Sequence, residues 1–118
     1  MSPDLAPLVD ILLAVNRALQ FTAGRDEQSF YADRTIRWAT YSQIVIIGEA
    51  AARVSRDFRR EHPEIPWAEM IGMRHRLVHG YDEINWNRVW ETIATDLPEL
   101  RHSIATLIPQ EPLESGEG

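Results

Sequence analysis

The stretch that decides the fold covers residues 67–81 and reads WAEMIGMRHRLVHGY. Its apolar residues recur three and four positions apart, which is the spacing of one face of an α-helix. The helix is predicted to begin near Trp67, because the preceding Pro66 suits a first helical turn. It is predicted to stop near Gly80, since glycine commonly ends a helix.

Arg74 interrupts the apolar face of this predicted helix. At about 100° per residue, it falls near the middle of a face shared by Trp67, Met70, Ile71, Leu77, Val78 and Tyr81. A cation there is costly unless it is paired or lines a cleft. Arg74 is therefore predicted either to form a buried ion pair, with Glu49 or an acid of the last helix, or to line a functional cleft. Glu49 is either that partner or a solvated charge.

His79 is the second candidate for chemistry in this segment. It lies roughly 140° around an ideal helix from Arg74, so the two side chains converge only if the helix frays at its end. His75 and His79 are four residues apart, a helical spacing that can hold a metal ion. A zinc site needs three or four ligands, and the other two histidines are remote in sequence, so no metal site is predicted.

Helical periodicity also predicts the rest of the architecture. The predicted helices are a first one with Leu5, Leu8, Leu12, Val15 and Leu19 in phase, ending near Gly24; a short one capped by Asp26 and containing Phe30 and Tyr31; a long one over residues 34–59; and a last one over residues 86–107. No segment alternates with period two, so no strand is predicted. The fold class is therefore all-α, an antiparallel bundle of four to five helices with short connections.

Two residues are unusual inside these predicted helices. Glycine costs up to about 1 kcal/mol relative to alanine within a helix, so Gly48 is predicted to mark a close approach of two helices. Pro98 lies inside the last helix, where Asp96 and Glu99 resemble a capping box around it. That helix is predicted to be either kinked or restarted at Pro98.

Composition bounds the class of protein. The 118 residues predict one domain over residues 1–109, followed by an acidic, disordered tail over residues 110–118. The absence of cysteine excludes a disulfide framework. The sequence has no run of about 18 apolar residues that would predict a membrane span, and it lacks the basic N-terminal start of a secretory signal. A cytoplasmic location is therefore predicted. The net charge of −6 argues against binding nucleic acid, DNA above all, through bulk positive charge, although local contact with RNA stays open.

Four ordered stretches resemble the HepT-like proteins of the HEPN superfamily. They are IIGEAA at residues 46–51, PEIPW at residues 63–67, GMRHRLVHGY at residues 72–81, and VWET through DLPEL at residues 89–100. The resemblance extends over residues 41–107, while the N-terminal helix fits in pattern only. It implies a helical bundle that forms a homodimer in which the arginine–histidine segments of the two copies face each other.

The resemblance also implies a function. It implies an arginine–four-residue–histidine ribonuclease motif filled by Arg74 and His79, extended to a tyrosine filled by Tyr81. The partner it implies is a minimal nucleotidyltransferase antitoxin, encoded next door, which in parts of the family transfers AMP to that tyrosine. No cofactor is implied. His75 stands where the family often has asparagine, and residues 82–85 differ from the more apolar, glycine-containing segment common there.

The resemblance therefore predicts a toxin that cleaves cellular RNA, such as tRNA or mRNA, without a metal. Arg74 would hold the phosphate and His79 would move protons, with His75 and Glu49 as possible auxiliary groups. Tyr81 would position a base and accept AMP. The alternative is a non-catalytic binding module that serves as the AMP acceptor of the nucleotidyltransferase. A third option is a purely structural helical protein.

Overall fold

Helices form almost all of the regular structure in a computed structural model that describes residues 2–79 and 83–109. In chain order the elements are α1 (Leu5–Thr22), α2 (Glu27–Ala32), α3 (Arg34–Arg53), α4 (Arg56–Glu61), α5 (Trp67–Ile71), α6 (Met73–Leu77), β1 (Val78–His79), β2 (Glu83–Ile84), α7 (Trp86–Glu91), a π-helical segment (Thr92–Asp96) and α8 (Leu97–Ala105). The all-α prediction is confirmed. The expectation of no strand was wrong, because β1 and β2 form one pair of two-residue strands. The predicted tail at residues 110–118 lies outside the described residues.

The core forms where α1 packs against α3 and α8. Its centre consists of fully buried aliphatic side chains, among them Ile11, Val15, Ile47 and Ile104. By length and composition alone α1 could cross a membrane, with a mean hydropathy of 1.3 over its 18 residues. Its buried face against α3 and α8 is that of a core helix.

α2 begins where the sequence predicted a cap. The Asp26 carboxylate accepts a hydrogen bond from the backbone N–H of Ser29 at 2.8 Å, and the Ser29 hydroxyl oxygen accepts one from the backbone N–H of Asp26 at 3.1 Å. The bond from the Ser29 N–H, with the one from its side chain, lowers the pKa of Asp26. The helix places Phe30 in the core, with its ring centroid 5.3 Å from that of Trp90.

The predicted helix over residues 34–59 is divided at Val54 and Ser55. Val54 is extended (ψ 136°), and Ser55 caps α4 by accepting the Phe58 N–H at 3.1 Å. The Asp4 carboxylate, only 7% exposed, accepts hydrogen bonds from the Ser55 backbone N–H at 2.7 Å and its hydroxyl at 2.9 Å. A distant acid at the start of α1 therefore supplies the partners that stabilise the break.

Replacing Asp4 with alanine should lower the free energy of unfolding by about 1–3 kcal/mol, because it leaves the Ser55 N–H without its acceptor in a half-buried place. Asp4→Asn keeps one acceptor oxygen and should lose less. Urea denaturation measures both. Asp57→Ala is the matched control, since its exposed ion pair with Arg60 should contribute less than about 1 kcal/mol. Equal effects of Asp4→Ala and Asp57→Ala would contradict this role of Asp4.

The last helix passes Pro98 without a break. The π-helical segment Thr92–Asp96 leads directly into α8, and Pro98 lies in the first turn of α8. A π turn is wider than an α turn, so it accommodates a ring whose nitrogen has no hydrogen to donate. Asp96 forms no side-chain cap at this junction, so the predicted capping box was wrong.

Gly48 lies at the contact between α3 and α5, as predicted. A Cβ atom built there would lie 2.9 Å from the backbone oxygen of Met70. The two backbones therefore approach more closely than a side chain at position 48 would allow. This contact positions α5, and with it α6, on the surface of α3.

Candidate functional site

Arg74 lies on α6 with its side chain exposed, rather than at the centre of a buried face. The buried side chains of α5 and α6 are Trp67, Met70, Met73 and Leu77. The face that packs on the core therefore runs through Met73, one residue before Arg74. The sequence prediction placed this face wrongly because it treated the segment as one continuous helix, whereas Gly72 separates α5 from α6.

The predicted buried ion pair of Arg74 is wrong as well. Glu49 is exposed on α3, and among the residues that the structure describes Arg74 has no carboxylate within ion-pair distance. An exposed guanidinium without such a partner can present its planar donors to a phosphate. The buried ion pair is therefore ruled out, and a role of Arg74 in a site stays a prediction.

His79 lies in β1, two residues beyond the end of α6. The carbonyl oxygen of Leu77 accepts a hydrogen bond from the backbone N–H of Asn85 at 2.7 Å. In a continued helix that oxygen would accept from the N–H four residues on, so this bond favours the end of the helix. β1 and β2 then pair antiparallel, with Val78 opposite Ile84 and His79 opposite Glu83.

This helix end changes the relation between the candidate histidines. His75 is exposed on α6, whereas His79 lies on a strand, so the helical spacing of four residues does not place them on one face. Within the described part of the chain, no group of three or more histidines and acids could hold a metal ion. Tyr81, with Gly80 and Asp82, lies outside the described residues, so its role stays a prediction.

A groove of about 700 Å³ runs between α5–α6 and the last helical segments. Arg76 and Arg88 line it together with five acids, namely Glu64, Glu69, Glu91, Asp96 and Glu99. An excess of carboxylates repels a phosphate backbone. This groove is therefore a poor channel for RNA, although Arg76 lies only two residues from Arg74.

A second pocket, of about 450 Å³, lies beside β2, and sequence reasoning missed it. Its lining combines aromatic rings, one arginine and amide groups: Tyr31, Arg37, Trp38, Glu83, Ile84, Asn85, Trp86 and Asn87. The signal that could have revealed it is on α3. Trp38 falls outside the spacing of the buried Thr40, Ile44 and Ile47 and is 47% exposed, whereas Arg37 is in phase with them, three residues before Thr40.

Comparison with known proteins identifies the family. The family model described as ribonuclease HepT-like matches residues 11–107. A candidate RNase of Methanocaldococcus jannaschii is 35% identical, over 82% of this chain and 89% of the relative. A probable ribonuclease HepT of Thermococcus cleftensis is 37% identical, over 80% and 86%, and a candidate RNase of Caldanaerobacter subterraneus is 32% identical, over 88% and 93%. No solved structure matches the chain. The chain belongs to the HepT-like family of ribonucleases.

Proposed function

We propose that the chain is the toxin of a toxin–antitoxin pair and cleaves cellular RNA without a metal, using Arg74 and His79. The observation that carries the proposal is the exposed Arg74 in α6, without an ion-pair partner among the described residues, five positions before a histidine on an adjoining strand. The membership in a ribonuclease family supports RNA as the substrate.

The reaction needs one base and one acid. A base takes the proton of the 2′-hydroxyl, whose oxygen attacks the adjacent phosphorus. The bond from phosphorus to the 5′-oxygen then breaks, and an acid gives that oxygen a proton. The products are a 2′,3′-cyclic phosphate and a 5′-hydroxyl. Histidine titrates near neutral pH and can serve either step, while Arg74 would stabilise charge on the phosphate oxygens.

A single His79 cannot easily be base and acid in one turnover. A two-fold homodimer would supply a second His79 across the interface. His75, exposed on α6 beside Arg74, is the alternative second group. The measurement is the cleavage rate of mixtures of the parent with His79→Ala protein, which follows the square of the parent fraction if both copies act in one site.

Incubation of the purified chain with total transfer RNA in EDTA tests the proposed activity. We expect fragments that carry 5′-hydroxyl ends, at a rate that added magnesium does not raise. Intact mass should first show that Tyr81 carries no AMP. A chain that leaves RNA intact under these conditions would shift the function to the second candidate, a binding module that accepts AMP without cleaving RNA.

Tyr81 should accept AMP when the chain is co-expressed with a minimal nucleotidyltransferase encoded beside it. The expected result is a mass increase of one adenylyl group and loss of RNA cleavage, because the added phosphate brings negative charge to the site. Tyr81→Phe lacks the acceptor oxygen, so it should stay unmodified and active in the same co-expression. Modification of the Tyr81→Phe chain would assign the AMP to another residue. We propose the cytoplasm as the location of this system, because its proposed substrate is cellular RNA.

A further inference from the structure

Three aromatic side chains and one arginine line the pocket beside β2. The Arg37 guanidinium carbon lies 4.9 Å from the ring centroid of Tyr31 and 5.0 Å from that of Trp86. Trp38 meets Trp86 edge to face, with centroids 5.4 Å apart. We call these four residues the aromatic pocket.

Two further aromatic residues, Phe30 and Tyr41, pack against the tryptophan rings of the aromatic pocket. Phe30 is fully buried and meets Trp86 edge to face, with centroids 6.3 Å apart. Tyr41 contacts both Trp38 and Trp86, with centroids 6.0 Å and 6.2 Å away. Packing on several sides fixes ring orientation. The outer rings nevertheless stay open to solvent, since Tyr31 is 59% and Trp38 is 47% exposed.

Arg37 is positioned by rings rather than by an acid. Among the residues that the structure describes it has no carboxylate within ion-pair distance, and its Nε is buried without a hydrogen-bond partner. Its remaining guanidinium donors can therefore serve an anion from outside the chain. Glu83 is the one acid in the lining, against five in the groove between α5–α6 and the last helical segments, so the pocket repels a phosphate less than that groove does.

The pocket adjoins the proposed cleavage site. Glu83 lines the pocket and is also the cross-strand partner of His79. Directly opposed residues of an antiparallel pair have Cα atoms about 4.5–5.5 Å apart. The backbone of His79 therefore lies one strand away from the pocket, within reach of a neighbouring nucleotide of the same RNA.

We propose that the aromatic pocket binds an unpaired nucleotide of the RNA next to the one cleaved, with its base stacked on Trp38 and its phosphate on Arg37. Unpaired bases stack on aromatic rings and on guanidinium planes, whereas the bases of a duplex are already stacked on each other. The exposed Asn87 amide offers a donor and an acceptor to a base edge. This inference rests on the proposed function for its RNA ligand, and it assigns the preference for single-stranded substrates to the pocket.

Binding of a fluorescein-labelled, single-stranded 2′-O-methyl oligonucleotide tests the pocket without cleavage, because this probe has no 2′-hydroxyl proton. Trp38→Ala should raise its Kd about tenfold, the effect of losing one base stack. Trp38→Phe should recover most of that loss. The same probe with abasic sites should bind the parent and Trp38→Ala equally, since it keeps the phosphates and lacks the bases. Leu13→Ala, an exposed apolar residue of α1 (44% exposed), is the matched control and should leave Kd unchanged.

Three results would overturn the proposal. One is equal affinity of the parent and Trp38→Ala for the single-stranded probe. Another is an equal loss with the abasic probe, which would show a general structural effect. The third is a Trp38→Ala protein that changes from dimer to monomer by light scattering, which would make this face an interface between two copies. Base-dependent binding through Trp38 without RNA cleavage would retain the pocket and refute the nuclease, whereas cleavage with unaltered probe binding would do the reverse.

Discussion

Replacing His79 with alanine should lower the rate of RNA cleavage by about 10²- to 10⁴-fold, which is the usual contribution of a general acid or base. Arg74→Ala should lower it by about 10²- to 10³-fold, because one donor to the developing phosphate charge is lost. Arg74→Lys keeps the charge without the planar pair of donors, so its cleavage rate should lie between that of the parent and that of Arg74→Ala. Single-turnover cleavage of transfer RNA measures all three rates.

His102→Ala is the control for these variants. His102 is exposed on α8 and lies in none of the described pockets, so its loss should leave the rate unchanged. Circular dichroism should give the same helix content for every variant. If His79→Ala or Arg74→Ala cleaved RNA as fast as the His102→Ala protein, the assignment of the motif to catalysis would be wrong.

Replacing Gly48 with alanine should lower the free energy of unfolding by about 1–3 kcal/mol, the usual cost of an overpacked core. Glycine to alanine inside a helix is ordinarily favourable by up to about 1 kcal/mol. Here the new Cβ would lie 2.9 Å from a backbone oxygen of α5, which cannot rotate away as a side chain would. The steric cost should therefore exceed the gain in helix propensity.

Urea denaturation of Gly48→Ala beside Ser42→Ala tests this contact. Ser42 is exposed on the same helix, so its replacement should be neutral or slightly stabilising. Gly48→Val, with a larger branched side chain, should destabilise more than Gly48→Ala. A Gly48→Ala protein as stable as the parent would mean that α5 moves away from α3 without cost. Because α5 leads into α6, such movement should also alter RNA cleavage.

Local sequence patterns correctly predicted those features of the helices that a single residue type indicates. The cap at Asp26 and the close approach at Gly48 follow from residue types that have one dominant use at such positions. The divisions of the longer helices depend on distant partners. The end of α3 depends on Asp4, 51 residues away from Ser55, and the end of α6 is favoured by Asn85, so neither has a signature in its own window.

The candidate site was only partly predictable for the same reason. The motif positions of Arg74 and His79 were visible in the sequence, but the environment of Arg74 was not. One continuous helical wheel placed the guanidinium on the core face, whereas the helix is interrupted at Gly72 and Arg74 of α6 is exposed. The aromatic pocket joins Tyr31 and Trp38 to Trp86, which lies in a segment far along the chain, so periodicity within one helix could not assemble it.

Cleavage of transfer RNA in EDTA by the unmodified parent chain, beside His79→Ala at equal concentration, tests the central claim most directly. The account predicts fragments with 5′-hydroxyl ends from the parent and intact RNA from His79→Ala over the same time. Equal cleavage by both proteins, or cleavage by the parent only after magnesium is added, would contradict a metal-independent ribonuclease that acts through His79.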